Sequence, residues 1–320
     1  MTIIRHPHES IGYYDLEDRE TRLRQSRQAK QAGISAFAYY HYWTQDRPIM
    51  DKALLKMLED PVEETLHHFL IWANISWTKK WDGASEILLP QTYGEQSSWE
   101  THFQFLLKFF SHPKQYLHRN KIVFGLYHPS DMTWDLFDKM IKYFRKRTRE
   151  TLNKDMHVII YDNTFLWNEG FANHPETDAA LCFEPMRSRA RGWLDKFQRE
   201  YLDRRPDMAG QRTVAYDYWD SCTAATIYAK RRDSNKDTYL TIVAGWDNTP
   251  RYEAQNRTSA YQASVWAGFT PDLFLIHAKH VLRLSHDYAS SPIVFVNAWN
   301  EWNEQAVLEP CTKFGTGTRM

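Results

Sequence analysis

Seven short apolar segments recur along the chain, each rich in β-branched or aromatic residues. Runs of this length and composition are typical of buried strands. The predicted strands are Ile34–Trp43, His68–Ile75, Ile122–Pro129, His157–Asn163, Ala179–Pro185, Thr238–Asn248 and Pro292–Trp302. Between them lie stretches with helical spacing, several of them opened by Asp, Ser or Thr, which favour helix N-termini. The predicted helices are Glu20–Ala32, Ser98–Phe110, Trp134–Leu152, Arg187–Leu202, Ser221–Arg232 and Pro271–Tyr288.

This alternation predicts an α/β fold in which parallel strands are joined by right-handed crossovers. The 320 residues contain no Pro/Gly/Ser-rich linker and no low-complexity segment. Because α/β barrels commonly occupy about 200 to 400 residues as one unit, we expect residues 1–320 to form a single domain.

The carboxyl end of every predicted strand turns polar or aromatic. In parallel α/β folds, ligands bind beyond these ends. The strands finish in His41-Tyr42-Trp43, Trp72-Ala73-Asn74, Tyr127-His128, Tyr161-Asp162-Asn163, Glu184-Pro185, Trp246-Asp247-Asn248 and Asn297-Ala298-Trp299-Asn300-Glu301. Seven such ends that converge on one face indicate a sugar-binding cleft.

Composition narrows the class of ligand. Aromatic residues make up 15% of the chain, and Trp and Tyr combine a flat apolar face with one hydrogen-bond donor, which suits stacking against a pyranose ring. A large aromatic core would give the same composition, so position has to decide.

Charge and cysteine content exclude other classes of protein. Lys and Arg balance Asp and Glu at 40 each, which argues against a nucleic-acid or anionic-membrane partner. No apolar run is long enough to span a bilayer and the start lacks an export-signal pattern, so we expect a cytoplasmic protein. The three cysteines have no C-x-x-C spacing, and reduced thiols are expected.

Glu301 and Glu304 follow the last predicted strand and lie three residues apart. If the chain turns helically there, their side chains share one face with Cβ atoms roughly 5–6 Å apart. Two carboxyls at that range cannot both ionise freely, so one acts as an acid and the other as a base, as glycosidic cleavage requires. The same spacing also suits an exposed first turn whose glutamates merely favour a helix N-terminus.

Five ordered motifs carry a resemblance that spans nearly the whole chain. They are YYDLEDRETR (Tyr13–Arg22), GISAFAYYHYW (Gly33–Trp43), WANISWTKKWDG (Trp72–Gly83), GWDNTPR (Gly245–Arg251) and NAWNEWNEQAVLEP (Asn297–Pro310). They closely resemble the WbsX-like family of polysaccharide gene clusters, usually labelled glycosyltransferase, whose domain resembles glycoside hydrolase family 99, the endo-α-mannosidases. The resemblance implies a TIM-type (β/α)8-like barrel that acts on glycans without a metal or nucleotide cofactor.

The resemblance also implies roles for the two glutamates through the E-W-x-E motif. Glu301 would deprotonate the substrate 2-hydroxyl, which attacks C1 and forms a 1,2-anhydro sugar. Glu304 would protonate the leaving oxygen and then activate the incoming water or acceptor. The outcome would be net retention.

Two departures from the family pattern shape the expectations. Family members usually begin with a further strand and a Phe-Tyr-Leu-Pro-Gln-type segment before the Tyr-Asp-Leu motif, whereas this chain opens almost at that motif. We therefore expect a barrel that lacks its first strand and is incomplete, closed by a partner chain, or the product of a truncated reading frame. The family also commonly has W-A-N-E-N-W where this chain has W-A-N-I-S-W at 72–77, so a carboxylate is absent near the cleft.

The candidate substrate-binding residues lie at the strand ends and in the motifs. They are His41, Tyr42, Trp43, Trp72, Asn74, Trp77, Tyr127, His128, Trp246, Asp247, Asn248, Arg251, Asn297, Trp299, Asn300 and Trp302. Asp247 and Asn248 either bind sugar hydroxyls or make a local turn, and Arg251 orients a carboxylate. The tryptophans form either stacking subsites or core, and each histidine is a hydroxyl ligand or a core residue.

Other chemistry has little support in the sequence. Fourteen histidines show no metal-ligand spacing, and neither G-x-G-x-x-G nor a P-loop occurs, so we expect no metal and no cofactor. The leading hypothesis is an enzyme that acts on α-linked glycosides in polysaccharide or O-antigen metabolism, with an oligo- or polysaccharide as its partner. A glycosyltransferase of surface-polysaccharide biosynthesis and an inactive carbohydrate-binding remnant are the alternatives.

Overall fold

The computed structural model describes residues 4–78, 86–162, 169–185, 213–217, 236–251, 263–288 and 293–315. Its strands are β1 (Ala36–Thr44), β2 (Arg47–Ile49), β3 (His67–Trp72), β4 (Trp77–Thr78), β5 (Ile87–Leu89), β6 (Leu117–His118), β7 (Lys121–Leu126), β8 (Met156–Asp162), β9 (Ala179–Cys182), β10 (Thr213–Asp217), β11 (Asp237–Val243), β12 (Ala263–Ala267), β13 (Val294–Asn297), β14 (Asn300–Glu301) and β15 (Ala306–Val307). The α-helices in these ranges are α1 (Arg19–Gln31), α2 (Lys52–Met57), α3 (Gln96–Phe110), α4 (Trp134–Leu152), α5 (Glu169–Ala172) and α6 (Pro271–Tyr288).

Seven strands form one parallel sheet in the order β13-β11-β9-β8-β7-β3-β1. Each predicted strand segment overlaps one of them, so the α/β class with a parallel sheet is confirmed. The segment Pro292–Trp302 is divided, because the chain leaves the ladder after Asn297 and enters a separate hairpin at Asn300. The short strands β2 and β6 add antiparallel to β1 and β7.

The helices follow the predicted pattern where the structure describes them. α4 and α6 have the predicted bounds, and α1 and α3 begin one or two residues earlier than predicted. The predicted helices Arg187–Leu202 and Ser221–Arg232 lie outside the described residues. Among the residues that the structure describes, no helix combines the length and the apolar character needed to cross a membrane.

The parallel sheet is strongly curled. Phe69 on β3 and Phe295 on β13 are separated by five steps along the sheet, which would be about 24 Å in a flat sheet with strands about 4.8 Å apart. Their ring centroids lie 6.0 Å apart, and Phe37 on β1 is likewise 5.8 Å from Trp299. In the part of the chain that the structure describes, β1 and β13 share no backbone ladder, so closure of the barrel stays a prediction.

The strands of the sheet are buried on both faces, as in parallel sheets covered by helices. On β8, Val158 and Ile160 pack into the core cluster that includes α3 and α4. Their neighbours Ile159 and Tyr161 pack into a second cluster with residues of β3 and β9. This alternation follows from the two-residue period of a strand, and it separates an outer, helix-covered face from an inner one.

Arg145 on α4 ties this helix to the amino ends of the strands. Its side chain is 8% exposed and forms ion pairs with Asp155, Glu176 and Asp178. It also donates to the Met156 carbonyl oxygen at 2.7 Å. Since a buried guanidinium needs such partners to offset its lost hydration, the network fixes α4 against β8.

We expect Arg145→Met to lower the free energy of unfolding by about 3 kcal/mol, because it removes the buried partner of three partly buried carboxylates. Arg149→Met is the matched control, since Arg149 also pairs with Asp155 but has a 58% exposed side chain, and exposed pairs contribute under about 1 kcal/mol. Denaturant unfolding measures both. Equal losses in the two variants would contradict the structural role of Arg145.

Candidate active site

The two glutamates lie on a short hairpin that follows the main sheet. Glu301 ends β14, which pairs with β15, and Trp302–Glu304 form a single 3₁₀ turn between these strands. Gln305 closes the turn in the left-handed conformation at φ 54°. Glu301 precedes this turn and Glu304 is its last residue, so one 3₁₀ turn separates the two carboxyl groups. That the two side chains act as a pair stays a prediction.

Glu301 is held in a partly buried position with backbone donors close to it. Burial raises the pKa of its carboxyl group. Arg251 and the nearby backbone N–H groups of Asn303 and Glu304 lower this pKa, but by less than burial raises it. A positive charge and N–H dipoles favour the ionised form, so these neighbours offset part of the effect of burial on Glu301.

Glu304 is the stronger candidate for a proton carrier at neutral pH. Its side chain is 18% exposed and forms an ion pair with Arg251. Burial raises its pKa to about 7, with a smaller contribution from Glu301 and against the effect of Arg251. A carboxyl group with such a pKa holds its proton long enough to serve as a general acid.

Tyrosines from the inner face of the sheet surround the carboxyl pair. Burial raises the pKa of Tyr42 and Tyr127, and the charge on Glu304 adds to both shifts. The Tyr127 ring makes an edge contact with Tyr40 at 5.8 Å and with Tyr161 at 5.2 Å between centroids. Strands β1, β7 and β8 thus present phenol rings to the pocket that holds the glutamates.

A buried carboxylate supports the hairpin from behind. Glu309 is fully buried and accepts from Gln25 Nε2 at 2.8 Å and Trp302 Nε1 at 3.0 Å. The Tyr14 hydroxyl donates to Glu309 at 2.5 Å and accepts from Trp302 at 3.0 Å. These contacts fix Trp302, which lies between Glu301 and Glu304 in the sequence. Tyr14, Gln25 and Glu309 are therefore supporting residues, and the candidate set does not include them.

The structure brings several candidate residues close to the glutamates. These are Tyr42 and Tyr127, whose pKa values the charge of Glu304 raises, and Arg251, which lowers the pKa of both glutamates. The Trp77 ring lies 5.4 Å from the ring of Tyr42 between centroids. Trp302 lies between the glutamates in the sequence, and Asn300 directly precedes Glu301.

Other candidates pack beneath α3, on the outer face of the sheet. His41 is 1% exposed, with its Nε2 2.9 Å from Nε2 of His102. Trp43 stacks on the same histidine at 4.5 Å, and Trp72 donates to the Trp43 carbonyl oxygen at 3.1 Å. These contacts are those of core residues, and the three side chains lie apart from the carboxyl pair.

The remaining candidates brace the loops around the pocket. The Asn74 amide accepts from the His128 backbone N–H and donates to the His128 carbonyl oxygen, at 2.7 Å each. Trp246 Nε1 donates to Ser264 Oγ, and the backbone N–H of Ser264 donates to Asn248 Oδ1. Asn297 donates to the Glu184 carbonyl oxygen at 2.9 Å.

Two buried polar atoms near the hairpin have no hydrogen-bond partner among the described residues. They are Oδ2 of Asp247 and Nε1 of Trp299. The Asp247 backbone N–H donates to the Glu304 carbonyl oxygen at 2.8 Å, so this residue is directly linked to the turn. Such atoms are suited to binding a polar ligand.

Strand periodicity distinguishes the residues that line the pocket from those in the core. On β1, Tyr40 and Tyr42 face the tyrosine cluster, whereas His41 and Trp43 face α3. Tyr40 and Tyr161 belong to the pocket wall but are absent from the candidate set. The period of two residues is the sequence signal that identifies Tyr40.

The chain matches one family model over residues 4–318, that of the glycosyltransferase WbsX family. It belongs to this family. The uncharacterised protein WxcX of Xanthomonas campestris pv. campestris (strain B100) is 26% identical over 322 residues, which cover 95% of this chain and 41% of WxcX. The chain thus spans about two fifths of the length of that relative.

Solved structures show the same fold at low identity. The GH99 endo-α-mannosidase from Bacteroides thetaiotaomicron, in complex with Bis-Tris propane, has a TM-score of 0.57 at 12% identity and covers 97% of this chain and 79% of its own. A glycoside hydrolase-like protein has a TM-score of 0.58 at 14% identity, covering 98% and 84%. These likenesses show the shared fold.

Glu304 should make the protein less stable as the pH rises. Its folded pKa of about 7 exceeds the ordinary 4.5, so the unfolded chain releases this proton first and stability falls between pH 4.5 and 7. Glutamine does not ionise, so we expect the free energy of unfolding of Glu304→Gln to rise by about 3 kcal/mol relative to that of the parent between pH 4.5 and 7. Unfolding at several pH values measures it, with the exposed Glu63→Gln as control. Parallel pH profiles for parent and Glu304→Gln would refute the raised pKa.

Proposed function

We propose that this protein is a retaining enzyme for α-linked glycosides in which Glu301 is the base and Glu304 the acid. The observation that carries the proposal is the placement of both carboxyl groups on one turn, beside Arg251 and within a wall of tyrosines. The low-identity structural neighbours that include an endo-α-mannosidase support it.

The division of roles follows from the different surroundings of the two groups. The backbone N–H groups of Asn303 and Glu304 lie near Glu301 and favour its anion. Glu304 lacks them, and the nearby charge of Glu301 raises its pKa further. One group is therefore ready to take a proton while the other is ready to give one.

In the proposed first step, Glu301 takes the proton of the substrate 2-hydroxyl. The freed oxygen attacks C1 and forms the 1,2-anhydro ring while the glycosidic C1–O bond breaks, and Glu304 gives its proton to the leaving oxygen. In the second step, Glu304 takes a proton from water or an acceptor hydroxyl, which attacks C1 as the three-membered ring opens. Glu301 returns its proton to O2, and two inversions give net retention.

The pocket wall suits a carbohydrate. Tyr42 and Tyr127 offer ring faces and hydroxyl donors beside the glutamates, and sugars bind through this combination. We assign Asp247 Oδ2 and Trp299 Nε1 to substrate hydroxyl groups, since a buried polar atom without a partner is costly unless a ligand supplies one.

Transfer to an acceptor is the second candidate reaction, and the family description favours it. The second step accepts either water or a sugar hydroxyl. Incubation with intact polysaccharide and, separately, with nucleotide-sugars distinguishes the two reactions. Nucleotide release without glycan cleavage would reject hydrolysis, whereas glycan binding without either product would indicate a carbohydrate-binding domain.

We expect Glu301→Gln and Glu304→Gln each to lower turnover by about 10²- to 10⁴-fold, the usual contribution of general acid–base catalysis. An aryl glycoside with a good leaving group should recover much of the rate in Glu304→Gln, because its departure needs no proton. It should recover little in Glu301→Gln. Steady-state kinetics with both substrates, and Glu63→Gln as control, provide the measurement. Unchanged turnover in Glu304→Gln would remove it as the acid.

A further inference from the structure

A second cluster of ionisable side chains lies at the opposite ends of the strands from the glutamates. It comprises His118 on β6, His157 near the start of β8 and Asp237 at the start of β11. One nitrogen or oxygen atom of each lies within 4.8 Å of the others. Sequence spacing alone does not reveal this group, because the fold joins three distant segments.

Local structure brings the three side chains together. The β6–β7 hairpin turns through Arg119 and Asn120, both in the left-handed conformation, which is the two-residue turn that matches strand twist. This turn places His118 Nε2 3.2 Å from Asp237 Oδ2. The His118 and His157 rings lie 4.6 Å apart between centroids.

Burial makes the cluster costly unless its polar atoms are engaged. His157 is 4% exposed and Asp237 6%. His157 Nε2 lies 2.7 Å from the Tyr239 hydroxyl, which is 3.5 Å from Asp237 Oδ2. Two imidazoles and one carboxylate therefore converge on a small, largely dry volume.

We propose that His118, His157 and Asp237 bind one divalent transition-metal ion, with Zn²⁺ as the best match. Two imidazole nitrogens and a carboxylate oxygen are a donor set for zinc, and a water molecule completes four-coordination. The present separations are wider than those of a bound site, so small side-chain rotations close it.

Neighbouring groups are compatible with this role. Arg119 Nη1 lies 3.4 Å from Asp237 Oδ2, but its side chain is 62% exposed and can withdraw into solvent. Lys121 is directed to Asp178 at 3.0 Å. The Tyr239 hydroxyl is placed to hydrogen-bond a ligating residue, as outer partners of metal sites commonly do.

The ion would act as a structural crosslink. β8 and β11 flank β9 in the sheet, and β6 covers the start of β7. One ion bound to all three would hold the amino ends of the curled sheet together. The inference is independent of the glycosidase proposal, since the site lies away from Glu301 and Glu304.

The test is zinc titration of the chelator-treated full chain by calorimetry, followed by the absorption spectrum of the Co²⁺ form. We expect one equivalent bound, four-coordinate cobalt bands and a higher Tm with zinc. His118→Gln should weaken zinc binding about 100-fold or more, with Asp237→Asn as the second variant. His112→Gln is the matched control, because His112 pairs with His68 at 5.1 Å without contributing to the cluster.

Three outcomes would overturn the proposal. The first is the absence of stoichiometric zinc binding by the parent protein. The second is parent-like binding by folded His118→Gln or Asp237→Asn, with folding checked by circular dichroism. The third is an equal loss of zinc affinity in His112→Gln, which would indicate that the zinc binds to histidines scattered over the surface. The cobalt spectrum of the parent decides the case if both cluster variants fail to fold.

Discussion

The shared burial of two carboxyl groups beside one guanidinium is the constraint on which the candidate site depends. If both were ionised, Glu301 and Glu304 would carry two negative charges beside the single positive charge of Arg251. The least costly arrangement at neutral pH is one anion, one cation and one protonated carboxyl group. This arrangement is the electrostatic basis of the proposed acid and base roles.

Such a pair needs a rigid frame, because relaxation or hydration would bring both groups back towards ordinary pKa values. The frame is a short hairpin closed by Gln305, whose amide donates to the Trp302 carbonyl oxygen at 2.8 Å and whose Oε1 accepts from the Arg5 backbone N–H at 2.6 Å. Glu309 holds the Trp302 indole from the other side. The chain thus uses a third, fully hydrogen-bonded carboxylate to position the two reactive ones.

The sheet is the part of the fold that the sequence predicts well. Strands buried on both faces give uninterrupted apolar runs, so all seven segments of the parallel sheet stand out from the polar chain between them. Their ends are harder to place, as Pro292–Trp302 illustrates. There the apolar and aromatic run continues past Asn297, although the backbone has already left the ladder.

Side-chain direction explains most of the difference between the candidate set and the pocket. Adjacent residues at a strand end face opposite ways, so a run such as His41-Tyr42-Trp43 cannot line one cavity as a whole. Contacts between distant segments, such as Tyr14 with Glu309 or His118 with Asp237, leave no local spacing to detect. Chemistry formed by long-range contacts becomes visible only in the folded chain.

Arg251 links the electrostatics of the pair to turnover. In the proposed reaction Glu304 is an anion after the first step, and an ion pair that was too strong would prevent it from taking a proton back in the second step. The Arg251 side chain is 51% exposed, so solvent screens the attraction. The Glu304 pKa of about 7 is the balance of two influences: burial favours the protonated form, and Arg251 favours the ionised form. Both halves of a retaining reaction require that balance, because the same group must act first as an acid and then as a base.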